Sequence, residues 1–301
     1  MQKGFHHYKD RTVLCIFNGF SSLVSGLLRA RKCRLCQLAR SNTSEMIKKV
    51  IGVLIPKYVK LVESTRALST TIFLQGNQPE INEIKKFIVE NTEIVRENNL
   101  TPEIQLRLFT PNCWFWHARP ELWPFADPFW AIYWPGGQAL TRYVLGNPLV
   151  SKGKKVLDLG SGCGAAAIAA QLCGAAHVVA NDIDPVAAVA TQINCELNRL
   201  DPILCVTDNL IGSHSGGYDL ILLGDMFYDE ALADSLRLWL DRCIQTQGTQ
   251  VLIGDPGRAQ FEKQRSRSRL QCLAQYELPP AVQQENYGLT CSSVWQYQPR
   301  L

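Results

Sequence analysis

An α/β protein with an open, mostly parallel sheet is what the sequence predicts, and three observations carry that reading. From about residue 137 to the C-terminus, short apolar runs alternate with helical patterns. One of these runs, "VLDLGSGCG" at 156–164, passes through closely spaced glycines into an alanine-rich stretch, a strand–turn–helix unit. The last two runs are joined by a long polar connection, which suits an antiparallel pair at the edge of the sheet. The 301 residues are 46% hydrophobic, enough for one large domain or one domain with a smaller partner.

The elements follow in order. "SEMIKKVIGVLIPKYVKLV" spaces Met46, Ile47, Val50, Ile51, Leu54 and Ile55 as one helical face, with Ser44 as N-cap. "PEINEIKKFIVENT" is a second helix, started by Pro79. Residues 101–135 hold five of the seven tryptophans and many prolines, so a loop-rich segment is expected there. "QALTRYVLGNP" is a helix stopped by Gly146 and Pro148. "KKVLDLG" is the first strand of the sheet, "AAAIAAQLCG" a helix closed by Gly174 at C′, and "AHVVAND" the second strand. Asp184 and Pro185 supply an N-cap and a first-turn proline for "PVAAVATQINCELNR". "PILCVTD", "YDLILLGD" and "TQVLIGD" are strands three to five, and "LQCLAQYELP" and "LTCSSVWQYQ" the tail pair.

Charge and cysteine usage narrow the class. Lys+Arg exceed Asp+Glu by 31 − 27 = 4, too little to point to a nucleic-acid partner. Residues 1–40 carry Lys3, Lys9, Arg11, Arg29, Arg31, Lys32, Arg34 and Arg40 against Asp10, with serines between. That composition reads as a mitochondrial transit peptide. The expected organisation is thus a leader over 1–40, an N-terminal extension and substrate-side segment over 41–130, and a catalytic domain over 131–301. No stretch offers the roughly 18 apolar residues of a membrane span. The 11 cysteines are odd in number and scattered, so they read as reduced. Cys33 and Cys36 lack the second pair that a zinc site needs.

The sharpest chemical signal is at 156–164. Gly160, Gly162 and Gly164 let main-chain N–H groups approach a ligand at the carboxyl end of the sheet. A dinucleotide fingerprint reads G-x-G-x-x-G with its acid about 20 residues later. Here the spacing is G-x-G-x-G and Asp158 precedes it. A carboxylate there repels a pyrophosphate but suits a cationic amino group, which the methionine end of S-adenosylmethionine carries. Asp182, 24 residues on, suits the two ribose hydroxyls. Asp208 ends the third strand and is either an acceptor for the adenine amino group or a turn residue.

These residues resemble the seven-β-strand S-adenosylmethionine-dependent methyltransferases over about 130–301. The resemblance implies a Rossmann-like sheet of seven strands, mostly parallel, with the last one antiparallel. The acid-x-x-aromatic pair Asp225 and Tyr228 in "GDMFYD", with "IYWPGGQAL", is similar to the protein-lysine branch of that class. The resemblance implies that Trp134 covers the cofactor and that Gly136 and Gly137 open a helix toward it. A lysine amine, with an ordinary pKa near 10.4, attacks only when neutral. Transfer is in-line, so positioning and desolvation carry much of it. Asp225 is expected to hold the incoming ammonium. Tyr228, with Trp114, Trp116, Trp123 and Trp130, is expected to wall a lysine channel through cation–π contacts. "DPFWAIYWPGGQALTRYVL", "VLDLGSGCG", "ANDIDP", "GDMFYD" and "GDPGR" are similar to the family that methylates lysines of the electron transfer flavoprotein beta subunit. That implies this subunit as partner and the mitochondrial matrix as location. The rivals are a methyltransferase of another mitochondrial or ribosomal protein, and a non-catalytic assembly factor on the same fold. Arg258 and the basic run 262–269 receive no role from the sequence.

Overall fold

Strands covered on both faces become continuous apolar runs, whereas the chain beyond a strand's carboxyl end meets solvent and turns polar. The computed structural model follows that rule; it describes residues 78–119, 122–125, 127–213, 216–265, 269–286 and 288–298. The leader, the helix expected over 44–62, Cys33, Cys36 and His214 lie outside the described residues, as does part of the basic run 262–269.

Helix α1 (Gln78–Asn91) precedes a small antiparallel pair, β1 (Glu93–Val95) with β2 (Leu106–Leu108), of which β2 lies inside the stretch expected to be loop. A single turn, α2 (Trp114–His117), and a 3-10 turn (Phe129–Ala131) lead to α3 (Pro135–Gly146). Helix α3 begins three residues before the periodic pattern suggested, because Pro135 occupies the first-turn position that lacks a hydrogen-bond partner anyway. The alternation then runs β3 (Lys155–Leu159), α4 (Ala165–Leu172), β4 (His177–Asn181), α5 (Pro185–Leu197), β5 (Leu204–Val206) and β6 (Leu220–Gly224). It ends with α6 (Glu230–Gln247), β7 (Gln250–Asp255), α7 (Ala259–Arg265), β8 (Arg269–Glu277), α8 (Pro280–Glu285) and β9 (Cys291–Gln298). Caps are where the sequence places them. The Asp184 side chain accepts from Val186 N and Gly174 takes φ +81° behind α4; Asp229, which the sequence reading did not place as a cap, accepts from Leu232 N and caps α6.

The seven-stranded sheet has the order β5-β4-β3-β6-β7-β9-β8. β9 is antiparallel to both neighbours, so the last strand in sequence inserts between β7 and the edge strand β8. Alternation along β6 sorts the core into two layers. Leu220 and Leu222 face α3 and α4, among Ala139, Leu140, Val144 and Ala165 to Ala170. Ile221 and Leu223 face α6 and α7, among Leu236, Trp239, Leu240 and Phe261. All four are fully buried, each burial stabilising by about 1.5–3 kcal/mol before entropy is counted. The alanines of α4 let that helix lie close to the sheet beside the glycine loop.

Candidate active site

Register aligns the strand ends into a row. Leu159 pairs with Asn181 and Leu223, and Gly224 pairs with Gly254. Asp182, Asp225 and Asp255 each come one position after these paired residues, and Asp158 one position before Leu159. Gly160, Gly162 and Gly164 all hold positive φ (+67°, +52° and +80°), where side chains other than glycine's are strained. A Cβ on Gly160 would collide with the Met226 side chain, and one on Gly164 would stand 2.7 Å from Thr191 Cγ2. The glycines thus leave bare backbone at alternate positions of the loop, between Ser161 and Cys163, and a Cβ on Gly162 would stand 3.7 Å from Trp130 Cα.

Asp158 is buried at the end of β3, with Oδ2 accepting from Ala167 N at 2.9 Å on the first turn of α4. Oδ1 makes no hydrogen bond among the described residues. Burial pushes its carboxyl up to about 7, with the Ala167 amide working against the rise and the charge of Asp182 adding to it. Asp182 accepts from Gly162 N (2.9 Å, Oδ2) and Asp184 N (3.1 Å, Oδ1), and burial raises its pKa while these amides oppose the rise. Each of its oxygens keeps a lone pair for another donor. These two acids fit a ligand with a cationic amino group near one and hydroxyls near the other, as S-adenosylmethionine presents. Asp208 is exposed, and its carbonyl accepts from the Asn181 side chain at 2.9 Å. Asn181 also donates to Val206 O at 2.7 Å, tying β5 to β4; sequence reading did not single it out.

The ends of β6 and β7 are built differently. Asp225 stands at φ +57°, in the left-handed region that residues other than glycine seldom adopt. Its Oδ2 accepts from Gly136 N and, at 3.1 Å, from Gly137 N, at the start of α3. Its Oδ1 accepts from Arg258 Nε (2.8 Å) and Nη2 (2.6 Å). The expected open carboxylate is thus a buried one with four donors already on it. Burial raises its pKa, while Arg258 and the two amides hold it down. Glycines make the approach possible. A Cβ on Gly136 or Gly254 would fall on the other's main chain, and one on Gly224 would stand 2.8 Å from Gly137 Cα. Asp255 Oδ1 accepts from Gly257 N and Arg258 N, both at 2.7 Å, which shapes the turn that aims Arg258. Burial pushes the Asp255 carboxyl up to about 7, against the Arg258 amide and with the charge of Asp225.

Trp134 is half-buried at the N-cap of α3; its Nε1 donates to Phe129 O at 2.9 Å, and its ring lies 5.5 Å from the Arg258 guanidinium carbon. Tyr228 is 64% exposed. It lies near enough to Asp182 and Asp229 for their charges to add to the rise in its phenol pKa that burial causes. The expected tryptophan-walled channel needs correcting. Trp130 is buried on Phe109, and Trp116 packs with Phe87, Phe115 and Phe125 against Val186, Ala190 and Ile193 of α5. Hydrophobic burial placed these rings in a core between α1 and α5. Trp114 is exposed and packs edge-on to Phe115. Among the described residues no His, Cys, Asp and Glu group is arranged to hold a metal, and burial raises the Cys163 thiol to about 12. No described helix is long and apolar enough to cross a membrane.

The chain is similar in sequence to known methyltransferases. A family model for ribosomal protein L11 methyltransferase matches residues 138–223, from α3 to β6. The electron transfer flavoprotein beta subunit lysine methyltransferase of Danio rerio is 68% identical over 216 residues, 72% of this chain and 84% of that protein. The Homo sapiens protein of the same name is 57% identical over 217 residues, 72% and 83%. A Caenorhabditis elegans homologue is 35% identical over 239 residues, 73% and 98%. Identity at this level across most of each relative leaves one placement: the chain belongs to the electron transfer flavoprotein beta subunit lysine methyltransferase family.

Proposed function

We propose that this chain methylates lysine side chains of the electron transfer flavoprotein beta subunit in the mitochondrial matrix. Membership of the family makes it an S-adenosylmethionine-dependent protein-lysine methyltransferase. The substrate is the one named for relatives up to 68% identical, and that identity is the observation that carries the reading. The matrix location is supported by the basic, acid-poor residues 1–40, read as a leader; residues 41–130 then form the extension and 131–301 the catalytic domain.

The cofactor supplies an electrophilic methyl group on a sulfonium. Asp158 would take its amino group, its Oδ1 having no partner among the described residues, and Gly160, Gly162 and Gly164 would give it a close backbone bed. Asp182 would receive the ribose hydroxyls and Asp208 the adenine amino group, and Trp134 would cover the site. Asp225 receives the substrate ammonium and orients the amine once its proton has left for water. Tyr228, exposed beside Asp182, forms the wall past which the lysine stem enters. Positioning and exclusion of water supply most of the rate.

The test is direct. The full chain, incubated with labelled S-adenosylmethionine and the purified flavoprotein, is expected to place methyl groups on lysines of the beta subunit by mass spectrometry. Unmodified beta subunit, with label instead on ribosomal protein L11, would replace this substrate by the rival one.

A further inference from the structure

The carboxylate assigned to the substrate already has a cation on it. A carboxylate offers about four lone-pair sites. In Asp225 two are filled by the amides of Gly136 and Gly137 and two by Arg258 Nε and Nη2. The same guanidinium lies over the Trp134 ring. Carboxylate on one side and aromatic face on the other is the environment that a lysine ammonium prefers. The pair is also asymmetric: the Asp225 side chain is 5% exposed and that of Arg258 is 27% exposed. Of the two, the guanidinium is the partner that solvent reaches, and it stands on Oδ1.

We infer that the Arg258 guanidinium occupies the cation subsite that the substrate's lysine ammonium enters, so that the substrate binds by exchanging with it at Asp225 Oδ1. The inference rests on the reading of Asp225 as the group that receives lysine. The two amide bonds from α3 stay in place during the exchange, so Oδ2 keeps the carboxylate anchored while Oδ1 changes partner. The backbone of Arg258 stays too, because Asp255 Oδ1 holds its N–H and that of Gly257. Only the arginine side chain moves. Asp255 Oδ2, buried and without a hydrogen-bond partner among the described residues, leaves a second acid close by for the displaced guanidinium. "GDPGR" thereby gains a role: Gly254 for the close approach to α3, Asp255 for the turn, and Arg258 as the resident cation.

Removing an internal competitor must raise affinity for the external cation. For the full chain acting on the purified flavoprotein, Arg258→Ala is expected to lower KM by about fivefold or more. Millimolar guanidinium is then expected to inhibit this variant competitively against the protein substrate, while leaving the native chain unaffected. Arg258→Lys keeps a cation without the fork and is expected to lower KM less, which serves if the alanine variant fails to fold. A raised KM in both variants, with guanidinium restoring activity, would make Arg258 a scaffold residue and overturn the exchange. Asp225→Asn separates the two layers of the argument. An unchanged KM there removes Asp225 from the substrate site. A raised KM, with no fall in either Arg258 variant, removes only the exchange.

Discussion

The two halves of the sheet end in acids, yet they treat them in opposite ways. At the ends of β3 and β4, Asp158 and Asp182 accept one and two backbone amides, and Asp158 has no cation against it among the described residues. At the ends of β6 and β7, Asp225 is filled by α3 and by Arg258, and Asp255 is spent on the turn that presents Arg258. The contrast shows that a carboxylate at a strand end is defined by the donors the chain brings to it. On the first side the chain leaves charge for a ligand to neutralise. On the second it neutralises its own.

The largest effect is expected where the second half depends on bare backbone. Gly254→Ala drives a methyl group into the main chain of Gly136 and separates α3 from the sheet. Destabilisation of about 4 kcal/mol or more is expected, seen as a thermal transition far below that of the native chain. A loss under about 1 kcal/mol would mean that α3 is free to move off β7, and that the Asp225 cluster is not a rigid unit.

A smaller effect, with a definite sign in pH, belongs to the first half. Asp158 is raised from 3.8 to about 7, so the ligand-free fold holds a proton that the unfolded chain has lost over that range. Its contribution therefore favours folding at low pH and is lost as pH climbs to about 7. Cofactor binding has the opposite dependence, because the cationic amino group needs the ionised acid. Affinity is expected to fall by about tenfold between pH 8 and pH 6, with protons released on binding at the lower pH. Calorimetry in buffers of different ionisation enthalpy reads both. A flat profile would mean that Asp158 stays ionised and that its burial matters less than its amide partner.

Much of this was legible in the sequence because it follows local rules. The strand runs of β3 to β9, the Asp184 cap, the Gly174 stop and the glycine loop all depend on residues near one another in the chain. The positions of the acids at the ends of β3 and β4 follow the same local rules, since Asp158 is held by Ala167 nine residues on and Asp182 by Gly162 and Asp184, 20 and two residues away. What the sequence concealed is long-range. The partners of Asp225 lie 33 and 88 to 89 residues away, and no spacing announces them. One clue was available: Gly224–Asp225 and Gly254–Asp255 repeat the same pair at the ends of two successive strands, opposite the Gly136–Gly137 helix start. The tryptophans misled for a related reason. Four tryptophans before a ligand loop, with Tyr228 after it, suggest a channel, but burial against α5 claimed Trp116 and Trp130.

The division between cofactor end and substrate end is tested most directly by two conservative variants of the full chain, Asp158→Asn and Asp225→Asn. For each, the dissociation constant of S-adenosylmethionine and kcat/KM for the flavoprotein are measured side by side. Asp158→Asn is expected to weaken cofactor binding by about tenfold or more, through loss of a charge-assisted hydrogen bond. Asp225→Asn is expected to leave cofactor binding within about twofold while kcat/KM falls by about a hundredfold. Equal loss of cofactor affinity in both variants would contradict the division and place Asp225 in the cofactor pocket.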